Sequence, residues 1–137
     1  MKILLDTCVI LDLLMNREGF ADDAENILAK AVCQEFNGYI TSKSVCDIFY
    51  IYRKETKNPS IACKRIEDLL SIVSLLDTTK EDVINALSLS YTTDFEDDLM
   101  IETSKREKID IIVTRNLNDY SKSSIKVLSP KQFLLVK

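Results

Sequence analysis

Residues 1–14 read MKILLDTCVILDLL, and this stretch decides the fold: a short apolar run, Ile3 to Leu5, meets an acid at Asp6 before the apolar pattern resumes. A continuous apolar run of this length is what a strand buried on both faces requires. A carboxylate at the end of such a strand needs a reason. Asp6 could cap the helix that follows, accepting a hydrogen bond from an amide at its start. It could also be one of several carboxylates gathered around a cation, and spacing alone leaves both readings open.

Working outward, DIIVT at 110–114 repeats the pattern, with Ile111, Ile112 and Val113 as a second buried strand. Between the two, strand and helix signals alternate. In 21–36, Ala24, Ile27, Leu28, Ala31 and Val32 recur at three-and-four spacing, with Asp22 and Asp23 in the first turn, and Asn37 and Gly38 are expected to end that helix. YIT at 39–41 reads as a short strand, followed by a helix with a stripe of Val45, Ile48, Phe49 and Tyr52. Asn58 and Pro59 break the chain before a third helix carrying Ile61, Ile66, Leu69 and Leu70, with Val73 just beyond. After SLLD at 74–77 come a helix from about Lys80 to Ser90, a turn at YTTD (91–94) and a helix over 95–108. A strand at IKVLSP (125–130) and a last turn of helix from Pro130 close the chain.

Short apolar strands separated by amphipathic helices imply an α/β fold, three layers α/β/α with a mostly parallel central sheet, in one domain spanning 1–137. The carboxyl ends of parallel strands share one edge, where ligands bind. That edge should gather Asp6, Ser42, Ser44, Thr114, Arg115, Asn116 and Asp119.

Composition narrows the chemistry. The chain has no histidine, which excludes Ser-His-Asp and Cys-His catalysis, paired-imidazole ribonuclease chemistry and His-ligated metal sites. Its two glycines, Gly19 and Gly38, cannot assemble a phosphate loop or a dinucleotide turn. With 22 acids against 18 bases the net charge is −4, so nucleic acid would have to be held by local basic patches and a cation at the site rather than by bulk charge. Cys8, Cys33, Cys46 and Cys63 form no CxxC pair and are expected to be reduced thiols packed as small apolar groups. No leader or apolar span stands out, and a cytoplasmic protein is expected.

Among the other acids, Asp97 shares a helix face with Met100, Ile101 and Ser104, which tilts it toward the packed side, whereas Glu96 and Asp98 are expected to serve the helix dipole and solvent. Asp47 projects away from the apolar stripe of its helix, where Lys43 four residues earlier could pair with it on the surface. The bases Lys43, Arg53, Lys54, Lys57, Lys64 and Arg65 cluster in the middle third, and Arg115, Lys122 and Lys126 fall near the expected edge.

Taken together, LLDTCVILDLL, the acid one turn into the helix after YITS, and the tail DFEDDLMIETSKREKIDIIVTRNLNDY resemble a PIN domain, over essentially the whole chain in order. The resemblance implies a metal-dependent ribonuclease with Mg2+ or Mn2+ as cofactor, RNA as substrate, often the toxin of a VapC-type toxin–antitoxin pair, with an antitoxin partner and a homodimer. Position by position it implies Asp6, Asp47, Asp97 and Asp119 as the catalytic acids, and Thr114, Asn116 and Ser42 as groups that position substrate or water. Asp6 and Asp97 would be the direct metal ligands. Two positions depart from the family's pattern, Asp47 where Glu is common and Asn116 where many relatives carry Asp. Those departures motivate the alternative of a PIN-like binding or dimerisation module without catalysis. A phosphoacceptor domain of receiver type needs an adjacent acid pair after the first strand, and LLDTC offers one acid.

Overall fold

The computed structural model describes residues 1–89 and 94–136. Ile3, Leu4 and Leu5 are fully buried in β1 (Lys2–Leu5), the middle strand of a five-stranded sheet in the order β3-β2-β1-β4-β5. The other strands are β2 (Asn37–Thr41), β3 (Ser74–Leu76), β4 (Ile111–Val113) and β5 (Lys126–Leu128), and all four pairings are parallel. Strand order reverses at β1, which has β2 on one side and β4 on the other, so the crevice beyond Leu5 and Val113 is the topological switch point.

Side chains alternate across the sheet and so build two cores. Ile3, Leu5, Ile111 and Val113 face α1 (Thr7–Leu14), α2 (Ala21–Val32), α3 (Ser42–Thr56), α4 (Pro59–Leu70) and α7 (Pro130–Leu134). Leu4 and Ile112 face the opposite way, onto Met100 and Ile101 of α6 (Phe95–Arg106), itself packed against α5 (Lys80–Leu89). Each fully buried aliphatic side chain of this kind stabilises the fold by about 1.5–3 kcal/mol, so β1, apolar on both faces, anchors both layers.

Local signals set the helix ends. Thr41 caps α3 by accepting from the Ser44 amide, and Asn58 caps α4 by accepting from Ser60 and Ile61, with Pro59 at the first position. Ser129 and Gln132 form a reciprocal capping box ahead of Pro130.

Three expectations are corrected, and one strand is added. The α2 helix ends at Val32, the chain turning through Gln34 at φ 59°, and Asn37 and Gly38 belong to β2. A Cβ on Gly38 would lie 2.9 Å from Val73 Cγ1, so close packing rather than helix termination explains this glycine. SLL at 74–76 is an edge strand, and its two exposed residues hid it. Cys33, Cys46 and Cys63 are free but exposed, and only Cys8 is partly buried. Lys126 pairs with Ile111 at the amino end of the sheet, so it lies away from the carboxyl edge. Tyr91, Thr92 and Thr93 of the expected turn, and Ser90, lie outside the described residues.

Candidate active site

Asp6 stands directly beyond β1, its amide donating to the Val113 carbonyl of β4 at 3.0 Å. It occupies the cap position of α1, yet its side chain makes no capping hydrogen bond. The carboxylate instead accepts from Thr114 Oγ1 at 2.6 Å and from Cys8 Sγ at 3.3 Å, and is only 7% exposed. The capping reading of Asp6 therefore fails. Thr114 is fully buried, with its amide donating to the Leu128 carbonyl of β5 at 3.0 Å and its hydroxyl accepting from the Asn116 amide at 3.0 Å. Three strand ends thus fix one hydroxyl on one carboxylate. Burial and the neighbouring Asp6 push the Cys8 thiol up to about 11, so Cys8 serves as a neutral donor here.

Asp97 lies in the first turn of α6, whose cap, Asp94, accepts from the Glu96 amide. Burial pushes its carboxyl up to about 7, with the Asp6 carboxylate as the next cause and Asp94 and Asp119 adding to it. The Tyr120 hydroxyl, which donates to Met100 Sδ at 2.9 Å, is near enough to Asp97 to act the other way on it, and that phenol is held far above its ordinary range by burial and by Asp6 and Asp97. Tyr120 is 2% exposed, at the end of a short 3-10 turn, Leu117–Tyr120, that also carries Asp119. Asp6, Asp97 and Asp119 therefore feel one another's charge although 91 and 22 residues separate them in sequence. Among the described residues no ion pair reaches Asp6 or Asp97.

The remaining expected residues are placed differently. Asp119 and Asn116 are exposed, in the segment following β4. Ser42 begins α3 at the end of β2, and among the described residues no hydrogen bond ties it to an acid. Asp47 is one turn further along α3 and is taken up by Lys43 at 2.5 Å. The same ammonium also pairs with Glu96, next to Asp97. Burial works against the Lys43 charge, but its bonds to Asp47 and Glu96 outweigh it and hold the ammonium above its ordinary value. Asp98, expected toward solvent, is 1% exposed, on the same helix face as the buried Ile101 three residues on.

Arg115, expected near nucleic acid, is engaged inward: its guanidinium lies 4.4 Å from the Phe20 ring centroid and its Nε is 2.7 Å from Asp12 Oδ2, an ion pair whose N–H is not aligned as a hydrogen bond. Sequence reasoning missed Tyr120 and Cys8 as neighbours of the acids. The signal for Tyr120 was present, since a tyrosine directly after Asp119 that is buried must find its hydroxyl a partner.

The donors at this edge are hard oxygens, and Asp97 is raised first by burial and then by Asp6, with no ion pair among the described residues to offset either, which is the chemistry a divalent cation of the magnesium type fits. Among the described residues, three or more His, Cys, Asp or Glu side chains do not converge into a ready cage. Magnesium keeps several waters and usually takes one or two carboxylates, so a pair is a sufficient donor set.

Residues 2–118 match the sequence profile of the PIN domain, most of the chain and every element carrying the acids. The chain belongs to the PIN domain family. No curated protein sequence matches it significantly. Among solved structures, this PIN domain resembles the Rickettsia felis VapBC2 complex bound to a promoter DNA fragment, with a TM-score of 0.72 at 14% identity over 94% of this chain and 98% of that one. Haemophilus influenzae VapBC-1 superposes with a TM-score of 0.72 at 16% identity over 96% and 99% of the two chains. Mycobacterium tuberculosis VapC20, described as a sarcin-ricin loop cleaving toxin, superposes with a TM-score of 0.66 at 11% identity over 80% and 86%. At these identities the likeness establishes a shared fold.

Proposed function

We propose that this PIN domain is a divalent-cation-dependent endoribonuclease, the toxin of a toxin–antitoxin pair, cytoplasmic and dimeric. The observation that carries the reading is the pairing of Asp6 with Asp97 at the switch point, two partly or fully buried carboxylates that share no basic partner among the described residues and push Asp97 up to about 7. Mg2+ or Mn2+ held by Asp6 and Asp97 would supply an activated water and offset charge on the leaving oxygen of an RNA phosphodiester. Thr114 fixes one Asp6 oxygen, so that carboxylate is oriented before substrate arrives, and the Tyr120 hydroxyl stands near Asp97. Asp119 and Asn116, exposed beside them, position water or phosphate, and Asp47 and Ser42 act from the α3 side as outer groups. The VapBC structures named above are toxin–antitoxin complexes and VapC20 is a sarcin-ricin loop cleaving toxin, which supports RNA as substrate and an antitoxin as partner.

Structured RNA incubated with the protein in Mg2+, Mn2+ or chelator tests this. Cleavage is expected with either ion, lost in chelator, and lost in Asp6→Asn and Asp97→Asn. Undiminished cleavage by Asp97→Asn would overturn the assignment. One feature favours a second reading, a PIN-like binding module without catalysis: Lys43 holds Asp47, and Asn116 replaces an acid at the fourth corner. Metal-independent absence of cleavage in a well-folded protein would favour it.

A further inference from the structure

We infer that Lys43 is a built-in second cation, so that this nuclease takes one divalent ion and uses a lysine ammonium where a second ion would stand. The inference rests on the proposed nuclease reading and deepens it.

Lys43 is the second residue of α3, which begins at the carboxyl end of β2, beside β1. Its ammonium lies 2.5 Å from Asp47 Oδ2 on its own helix and pairs with Glu96 in the first turn of α6, 53 residues away and adjacent to Asp97. Lys43 and Glu96 line one narrow cleft together with Thr41, Thr78 and Thr103. A comparison within the chain shows what is unusual. Lys64 also pairs with an acid four residues on, Asp68, yet that pair stays within α4 and its side chain is 69% exposed. Lys43 is 35% exposed and ties two different elements at the functional edge.

Two carboxylates converging from α3 and α6 next to Asp97 would be a natural second cation position, and a fixed ammonium between them supplies the positive charge without dehydrating an ion. It also repels a second divalent ion, since like charges brought close inside a partly buried site disfavour each other. The charge of Lys43 does not depend on metal supply. Asp47 is one methylene shorter than the Glu common at this position, and its partner is a long lysine side chain on the same helix rather than an ion at the sheet edge.

The test counts ions. Mn2+ binding is measured by electron paramagnetic resonance on the full chain, wild type, Lys43→Arg and Lys43→Gln, with circular dichroism confirming the fold of each. One ion per chain is expected for wild type and Lys43→Arg, and two for Lys43→Gln, the second disappearing when Asp47→Asn is added. RNA cleavage by Lys43→Gln should fall at least tenfold at the Mn2+ level that saturates wild type and recover as Mn2+ is raised. Two ions in wild type, or one in Lys43→Gln, would overturn the inference while leaving the nuclease reading intact. No ion in wild type would overturn both. If Lys43→Gln does not fold, two ions in Lys43→Arg or in wild type still decide against it.

Discussion

Two groups of buried acids in this PIN domain meet opposite fates. Asp82, on α5, is 2% exposed and fully engaged: Arg106 Nε lies 3.0 Å from Oδ1, Thr103 Oγ1 donates to Oδ2 at 3.1 Å, and the Thr79 amide donates at 2.9 Å. Burial acts to raise its carboxyl, but Arg106 and these donors overcome it and hold Asp82 below the usual carboxylate range. Asp12, on α1, is likewise buried, between Arg17 and Arg115. Asp97 meets the same desolvation, with Asp6 instead of an arginine nearby, and is pushed up to about 7. Where the fold needs an acid for its own cohesion it supplies a guanidinium. At the switch point it supplies the hydroxyl of Thr114, which orients Asp6, and that of Tyr120 near Asp97, and neither neutralises a carboxylate. The Asp82 network clamps α6 to α5 and so holds the helix that carries Asp97, which makes the first group the support of the second.

Removing one partner from each group should give stability changes of opposite sign. Arg106→Met leaves Asp82 buried and charged, and a loss of about 3 kcal/mol is expected in urea unfolding at neutral pH. Asp97→Asn removes a repulsion, and in chelator at pH 8 it should raise stability by roughly 2 kcal/mol, about half of what the full shift would supply because the group is partly exposed. A destabilised Asp97→Asn protein would erase the contrast.

The same contrast has a pH signature. Asp97 has a folded value of about 7 against 3.8 for the ordinary carboxyl, so between those values the folded protein holds more protons than the unfolded one. Its contribution is therefore full below about pH 4 and is lost as pH rises to about 7. Asp82, held low, acts in reverse: its contribution is present above the ordinary carboxyl value and lost as pH falls through its depressed folded value. Unfolding followed from pH 4 to 8 in chelator should show the Asp97 loss in wild type and not in Asp97→Asn, and Mg2+ should flatten it.

Smaller effects sharpen the picture of the two hydroxyls. Thr114→Val keeps the shape and deletes the donor to Asp6, which should weaken Mn2+ binding roughly tenfold in a calorimetric titration. Tyr120→Phe should cost about 1 kcal/mol and move the pH profile of cleavage upward, because the lost hydroxyl was lowering Asp97. A profile displaced downward would mean that the hydroxyl does not serve that carboxylate.

The parts of this design visible in sequence are those written in local pattern. Apolar runs at 3–5 and 111–113 located the two central strands, and the polar residues directly after them, Asp6 and Thr114, located the edge. Asn58 with Pro59 and Pro130 marked helix starts that the structure contains. What stayed hidden depends on partners far apart in the chain. Nothing near Asp82 announces Arg106, and nothing near Lys43 announces Glu96, because those contacts arise only when α6 docks. Asp97 and Asp98 are one helical step, about 100°, apart, so a spacing that turned Asp97 inward pointed Asp98 toward solvent, where the structure does not place it. The edge strand at Ser74–Leu76 has a single buried side chain, Leu76, and so carries no alternation to read.

Isothermal titration of Mn2+ at pH 7, repeated in two buffers of different ionisation enthalpy, measures directly whether Asp6 and Asp97 share one ion. A carboxyl near 7 is about half protonated there, so binding to wild type should expel roughly half a proton per ion, and Asp97→Asn should lose that release together with most of the affinity. Binding to wild type with no proton release, or an Asp97→Asn protein that binds as tightly as wild type, would contradict the account.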